Sequence, residues 1–406
     1  MWRAIASNFL TLLLVILTAL AIAVAWGRQQ YAGPGPSAVA QCVVVAPGAS
    51  MQTIANQLAE HGAISHPYIF LTGAAYAGKA GQQKFGSFLV PPHASMQDIM
   101  ATITAGGPST CGTEVTFRIG VRDNSVVLRD MDPATGQYAE VAKYNPVTEA
   151  APEVITAAEA RPDARLRIAV AEGVTSWQVV EGLKQAGFLA GETGKLPAEG
   201  TLAPETYEVK PGTERAELLA QMAALQARNL ARAWEERAED LPYDTPEEAL
   251  VMASIVEKET SVPAERPIVA SVFVNRLRQG MRLETDPTVI YGVTKGEGVL
   301  DRGLRRSELQ ARTPYNTYLI DGLPPAPIAN PGRAALEAVV NPSKTDDLYF
   351  VADGTGGHVF ATTLEEHNRN VARWRKLRKQ QQEEGVAAVP DKEEQPAEEA
   401  PPAGKD

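Results

Sequence analysis

TPEEALVMASIVEKETSVP, running from Thr245 to Pro263, is the stretch from which the rest of the chain can be read. Its middle, Ala249-Leu-Val-Met-Ala-Ser-Ile-Val256, is apolar on every side, and a helix of that kind belongs inside a core. Thr245-Pro246-Glu247 opens it, with proline in the first turn, where its missing N–H costs nothing. Two carboxylates close it. Glu257 and Glu259 stand two residues apart, roughly 200° of rotation on a helix, so they point to nearly opposite sides and cannot share a proton on one face. Counting back by three, four and seven, Glu259 stacks over Val256, Ile255 and Met252, whereas Glu257 stacks over Ser254, Ala253 and Leu250. Glu259 therefore has the drier surroundings. Burial and the negative end of the helix dipole both disfavour its ionised form, and a general acid must stay protonated near neutral pH. A structural ion pair with Lys258 or Arg276 is the competing reading of the same position.

Working outward, Glu214–Arg237 reads as a long amphipathic helix and Glu265–Gln279 as the helix that follows the acid, closed by Gly280. Pro- and Gly-rich loops come next, then a strand–turn–strand, DLYFVADGTGGHVFAT (Asp347–Thr362). A last helix, Leu364–Gln380, carries a basic patch from Arg373 to Lys379, read as a solvated face. Upstream, one pattern recurs: a short apolar strand, a Gly or Pro turn, a Ser or Thr, then an amphipathic helix. It appears at Val43–Gly62, Phe88–Gly106 and Ile168–Gly187, and more weakly at Tyr207–Met222. Ser50, Ser95, Thr175 and Thr213 occupy the expected N-cap positions, and Ile54/Leu58, Ile99/Ile103 and Val179/Leu183 share helical faces. Between the second and third copies, Thr113–Tyr144 alternates apolar and polar residues as a hairpin or small sheet, and Pro146–Asp163 reads as a linker.

Phe9–Trp26 contains no charge, and its 18 residues are long enough to cross a bilayer core. Ala23-Val-Ala25 also fits a signal-peptide cleavage pattern, although the run exceeds a usual signal core, which favours an uncleaved anchor. Cys42 and Cys111, in an oxidising compartment, can pair and tie the start of the first module to its end. Two distant cysteines and five scattered histidines make no metal site, and no phosphate loop or Ser/His triad is present, so no metal or cofactor is expected. A net charge of −11 argues against nucleic acid as a partner. About half of it lies in the Pro/Ala/Glu-rich end from Gln380 to Asp406, which cannot bury a core. The expected fold class is α+β. Its parts are a cytoplasmic N-terminus (1–8), one transmembrane helix (9–26), a linker (27–41), a first β-α module (42–112), a β-rich insert with linker (113–163), a second β-α module (164–201), a mainly helical domain with a small sheet (202–379) and a disordered acidic tail (380–406).

MASIVEKET (Met252–Thr260), VASVFVNRLRQGMRLETDPTVIYG (Val269–Gly292), TPYNTYLIDGLPPAPIANPG (Thr313–Gly332) and LYFVADGTGGHVFATTLEEHN (Leu348–Asn368) together resemble the endolytic murein transglycosylase, or YceG-like, family. In that family the second glutamate of E-K-E-T is catalytic, which here is Glu259. The resemblance implies LysM-like modules ahead of the catalytic domain. It also implies non-hydrolytic cleavage of peptidoglycan between N-acetylmuramic acid and N-acetylglucosamine, leaving 1,6-anhydro ends and terminating strand elongation. Glycan strands, lipid-linked nascent strands among them, would be the substrate. Cell-wall synthases (penicillin-binding proteins) would be partners, and the location would be the periplasmic face of the inner membrane. The insert 113–163 and the block EGTLAPETY (Glu199–Tyr207) depart from the family pattern.

For substrate contacts the residues offer Asn275 and Arg276 on the helix after the acid, and Asp286, otherwise an Asx-type turn residue. Tyr315, Asn316 and Tyr318 lie in one loop where rings and amides suit a sugar. The prolines between Leu323 and Gly332 would make a preformed wall, and His358 reads as a strand residue rather than a base. Two rival functions stand beside the lyase: a non-catalytic wall-binding scaffold, and a hydrolase giving reducing ends.

Overall fold

A computed structural model of the chain describes residues 2–106, 109–161 and 163–383; the expected acidic tail lies, beyond Glu383, outside the described residues. The fold is mixed α/β with one N-terminal apolar helix and several small sheets. The chain divides into two compact units, the first holding most of residues 1–167 and the second most of 168–406.

In the first unit, α1 (Trp2–Ala32) runs six residues past the expected end of the apolar segment and takes up part of the expected linker. Ser7–Ala32 is long and apolar enough to cross a membrane. Its last turns are docked. Trp26 lies 5.4 Å from the His66 ring, and Tyr31 covers Gly73 so closely that a Cβ there would fall 2.2 Å from Tyr31 Cε2. Then come β1 (Gln41–Val45), α2 (Met51–Glu60), α3 (Pro67–Tyr76), β2 (Gly86–Val90) and α4 (Met96–Ala105). β1 and β2 pair antiparallel from Gln41↔Val90 to Val45↔Gly86. Ser50 caps α2 by accepting the Thr53 N–H, and Ser95 forms a capping box with Asp98 on α4, as their spacing predicts. The helices bury Ile54, Leu58, Phe70, Ile99 and Ile103 against Val43, Val45 and Phe88 of the strands. The helix α3 has no counterpart in the strand–turn–helix reading, because PYIFLTGAAY lacks the polar stripe that marks a surface helix. β3 (Thr113–Ile119), β4 (Ser125–Asp132) and β5 (Gln137–Tyr144) follow, the last two an antiparallel hairpin with a bulge at Leu128/Arg129. The stretch read as linker contains α5 (Glu153–Glu159), held by the buried Ile155.

In the second unit, β6 (Arg165–Val170) leads into α6 (Ser176–Gln185), where Thr175 and Gln178 make a capping box. β7 (Leu189–Ala190) and β8 (Thr206–Val209) follow, β8 lying beside β6, and β9 (Thr213–Glu214) pairs parallel with β7. Thr213 is not an N-cap. It sits in β9 and accepts the Lys210 N–H, and α7 (Arg215–Glu235) starts from Glu214 without a side-chain cap. α8 (Pro246–Glu259) is the hub of this unit. Thr245 and Glu248 form its capping box, and every residue from Ala249 to Glu257 is buried. α9 (Arg266–Arg278), α10 (Asp286–Thr294), the short α11 (Arg306–Leu309) and α12 (Arg333–Val340) come next, and α7, α9, α10 and α12 all pack on α8. α12 falls in what reads as Pro/Gly-rich loop. It begins directly after Pro331-Gly332 and buries Ala335, Leu336, Val339 and Val340. Each fully buried aliphatic side chain here contributes about 1.5–3 kcal/mol, which is why Ile255 and Val256 fix the helix in place. The hairpin of β10 (Tyr349–Ala352) and β11 (His358–Ala361) is covered by α13 (Leu364–Glu383) through Val351 and Trp374.

The sulfurs of Cys42 and Cys111 are bonded, with Cα atoms 5.9 Å apart and a sequence separation of 69. Closing so long a loop restricts the unfolded chain by up to about 4 kcal/mol in the chain-entropy picture. Replacing both cysteines by serine should therefore lower the denaturation midpoint of the oxidised protein substantially. A reductant should destabilise the wild type toward the variant's value and leave the variant unmoved, as read by thermal or urea unfolding.

Candidate active site

Exposure does not separate the two carboxylates that end α8, since Glu257 is 5% and Glu259 6% exposed. Their partners do. Glu257 accepts the Gly332 N–H at 3.0 Å and pairs with Arg266 Nη2 at 3.3 Å, while the same guanidinium nitrogen reaches Glu172 at 3.0 Å. Glu257 thus fastens α8 to the start of α12. Lys258 donates to the Gly173 carbonyl at 3.1 Å. Arg276 spends its guanidinium on the carbonyls of Leu348, Arg282 and Leu283 and on Glu284.

Glu259 receives the Thr285 hydroxyl on Oε1. Thr285 is the N-cap residue of α10 and is itself held from several sides. Its N–H donates to Thr317 Oγ at 3.1 Å, and its carbonyl accepts the Thr288 hydroxyl at 2.8 Å. The Thr288 and Thr317 hydroxyls lie 2.8 Å apart, and all three threonines are buried. Glu284, just before Thr285, has φ +51°, a region non-glycine residues rarely occupy, and the Arg276 guanidinium pins that turn. The turn is over-determined, so the hydroxyl that meets Glu259 has little freedom.

Of the residues expected to contact substrate, Asp286 and Tyr318 lie beside this centre. Asp286 is the first residue of α10 and accepts the Tyr318 hydroxyl at 2.8 Å; burial pushes its carboxyl up, and the hydroxyl pulls partly the other way. Asn316 holds its own loop. Fully buried, it donates to the carbonyls of Leu309 and Ala311 at 2.9 and 2.8 Å and accepts the Tyr318 N–H. Asn275 is likewise engaged on backbone, donating to the carbonyls of Thr345 and Asp347. His358 is paired through Nδ1 with Glu265 at 2.7 Å, and Glu265 also accepts the Thr260 hydroxyl, which ties the residue after the acid to the β10–β11 hairpin. Tyr315 lies at the other end of its loop, its ring 4.9 Å from that of Tyr291.

A cleft of about 610 Å³ opens beside the first turns of α8, from Glu247 to Val251, and is walled by the proline loop from Leu323 to Pro327 with Glu199 on its rim; Glu259, at the far end of the helix, does not line it. Glu199 accepts the Ser176 N–H at 2.8 Å and the Tyr291 hydroxyl at 3.3 Å. Burial nonetheless pushes its carboxyl up. Nothing in EGTLAPETY marks this glutamate, because its burial depends on α6, α10 and the proline loop. Thr285 is equally silent, being one of several threonines in the region. No cluster of His, Cys, Asp and Glu that would hold a metal occurs among the described residues.

A helix ending in a buried acid, with a hydroxyl fixed on it, is the candidate site of this chain. The chain belongs to the YceG-like family, whose model matches residues 43–373. It is 40% identical over 176 residues to a Bacillus subtilis (strain 168) protein named endolytic murein transglycosylase, covering 43% of this chain and 47% of that one. It is 29% identical over 332 residues to the Streptococcus pneumoniae (serotype 2, strain D39) protein of the same name, covering 80% of this chain and 56% of that one. The chain thus spans about half the length of the curated relatives it matches. A solved structure of a YceG-like protein from Listeria monocytogenes aligns over 82% of this chain and 99% of that one, at 24% identity and a TM-score of 0.43.

Because folding raises the Glu199 carboxyl, the native state binds this proton more readily than the unfolded chain. The carboxyl therefore costs stability once pH rises through its native value, and costs nothing below its unfolded value. Glu199→Gln, which keeps an oxygen for the Ser176 N–H, is expected to be more stable than wild type near neutral pH. That advantage should shrink as pH falls into the carboxylate range, as measured by thermal melts across the series.

Proposed function

We propose that the protein is a lytic transglycosylase of peptidoglycan, with Glu259 as its proton donor and acceptor. The observation that carries this is Glu259 itself: a buried carboxyl at the carbonyl-rich end of a hydrophobic helix, one oxygen held by a fixed hydroxyl, in a chain of the YceG-like family. Apolar surroundings and a helix C-terminus both disfavour charge at such a position, and a donated hydroxyl partly offsets them. In the neutral form Oε1 accepts from Thr285 and the acidic hydrogen is carried by the other oxygen, from which it passes to substrate. The proton goes to the glycosidic oxygen as the bond from the muramic C1 breaks, and the departing N-acetylglucosamine leaves with a free hydroxyl. Glu259, now a carboxylate, takes the proton of the muramic C6 hydroxyl as that oxygen closes on C1. A 1,6-anhydro end results, and the acid is restored.

The nucleophile belongs to the substrate. A second enzymic carboxylate or an activated water, which ordinary glycosidases need, is not required, and intramolecular attack gains the advantage of a held reactant. The Thr285 hydroxyl serves both halves, since a donor on Oε1 also steadies the carboxylate between them. Asp286, through Tyr318, is best placed to orient a sugar beside the acid. The β1–α2–α3–β2 order of the first unit, with its two helices between paired strands, supports a LysM-like, glycan-holding role. α1 would be the single membrane anchor, with the remainder of the chain on the periplasmic face, where lipid-linked nascent strands are made. Cutting there would terminate strands and would favour partnership with synthases.

Mass spectrometry of products from purified glycan strands, with and without borohydride reduction, tests the reaction. Anhydro ends, indifferent to borohydride, are expected; reducible ends would identify a hydrolase. Glu259→Gln should lower the rate by at least about a thousandfold while folding normally. Glu257→Gln should instead cost about 3 kcal/mol of stability by loosening a buried ion pair, yet still cleave at temperatures where it is folded. Were the second variant inactive while folded and the first active, the assignment would be reversed.

A further inference from the structure

A second carboxyl in the same unit has chemistry that the proton-transfer step does not use. Glu199 is held at the edge of the cleft by neutral groups: the Ser176 N–H, the Tyr291 hydroxyl and, at 3.5 Å, the Asn330 amide. Its neighbour Gly200 has φ +81°, and a Cβ there would lie 2.7 Å from Pro327 Cβ, so the backbone is pressed against the proline wall. Beside it the Tyr291 and Tyr315 rings meet at 4.9 Å, tilted by 53°. Gly292 lets them close up, since a Cβ in its place would approach Tyr315 Cβ to 3.2 Å. A half-buried acid with no cation among these partners is costly to keep, and such cost concentrates at functional positions.

α10 and the loop 315–318 run side by side and connect this cluster to the acid. At one end Thr285 meets Glu259 and Asp286 meets Tyr318; at the other Tyr291 meets Tyr315 and Glu199. Six residues of helix separate Thr285 from Tyr291, roughly 9 Å along the axis, which is further than one pyranose ring is long.

We propose that Glu199, Tyr291 and Tyr315 form a remote glycan subsite, which grips a sugar ring of the strand more than one residue from the bond that Glu259 cuts. The tyrosine rings offer flat apolar faces to the ring, and the Glu199 carboxyl accepts one of its hydroxyls. The subsite rests on the reading of this cleft as a glycan cleft, but not on the cleavage chemistry. It makes the enzyme measure strand length, because short fragments cannot fill both the subsite and the scissile position.

The test separates binding from cleavage. In the full-length protein in detergent, Glu259→Gln serves as the background, and calorimetry measures its affinity for purified uncross-linked glycan strands of several disaccharides and for a single disaccharide. Adding Glu199→Gln, or in a separate protein Tyr315→Leu, should weaken binding of the long strand about tenfold and erase most of the long strand's advantage over the disaccharide. Unchanged preference for the long strand in both double variants, with melting midpoints showing them folded, would overturn the subsite. In the otherwise wild-type enzyme, Glu199→Gln should raise KM on long strands with kcat nearly preserved. A fall in kcat at constant KM would overturn it too, by placing Glu199 in the chemistry. If wild type cuts no glycan but the affinities shift as expected, the cleavage reading fails and the subsite stands.

Discussion

A helix buried on all sides cannot end in two carboxylates unless each has somewhere to put its charge or its proton, and the second unit is organised around that constraint. Glu257 meets it with a cation. Arg266 and the Gly332 N–H surround its oxygens, and the arrangement joins α8, α9 and the start of α12 at one point. Glu259 meets it with a hydroxyl. Two residues of helix thus separate a carboxylate fastened by a cation from one that receives a hydroxyl, and because the first is fastened, the second is presented at a fixed height and rotation. Arg266 also bonds Glu172, so the loop ahead of α6 is drawn into the same support.

The burial of α8 was readable because it needs only 3.6 residues per turn and an almost wholly apolar run, but helix phase did not make Glu259 the drier carboxylate: it is 6% exposed and Glu257 5%. The caps at Ser50, Ser95 and Thr175 were readable for the same local reason, and the one that failed, Thr213, failed because β9 pairing with β7 claims that residue for a strand. What sequence could not supply was anything set by a distant partner. The helices α3 and α12 hide because one lacks an amphipathic stripe and the other follows directly on a Pro-Gly pair. Asn316 looked like a sugar-binding amide, yet its amide is consumed by loop carbonyls, as the amide of Asn275 is. Thr285 and Glu199 gave no signal at all. One acquires its meaning from a residue 26 positions away and the other from a tyrosine 92 positions away.

These misses share a cause. An exposed-looking polar residue in a loop is equally suited to bind a ligand or to satisfy the backbone of the loop that carries it, and only the fold says which. Here the loop 313–318 divides the work within a few residues. Asn316 and Thr317 face inward and hold the backbone, while Tyr315 and Tyr318 border α10 at two separate heights. Alternation of that kind lets a short irregular segment be rigid and still offer side chains outward.

The docking of Tyr31 onto Gly73 has a mechanical consequence for the first unit. With the terminal turn of α1 wedged against α3, and Trp26 against His66 one and a half turns earlier, no swivel separates the apolar rod from the βααβ module. Set in a bilayer, rod and module would tilt together like a handle and its blade. Bilayer thickness, by setting the rod's inclination, would then set how the module leans over the headgroups.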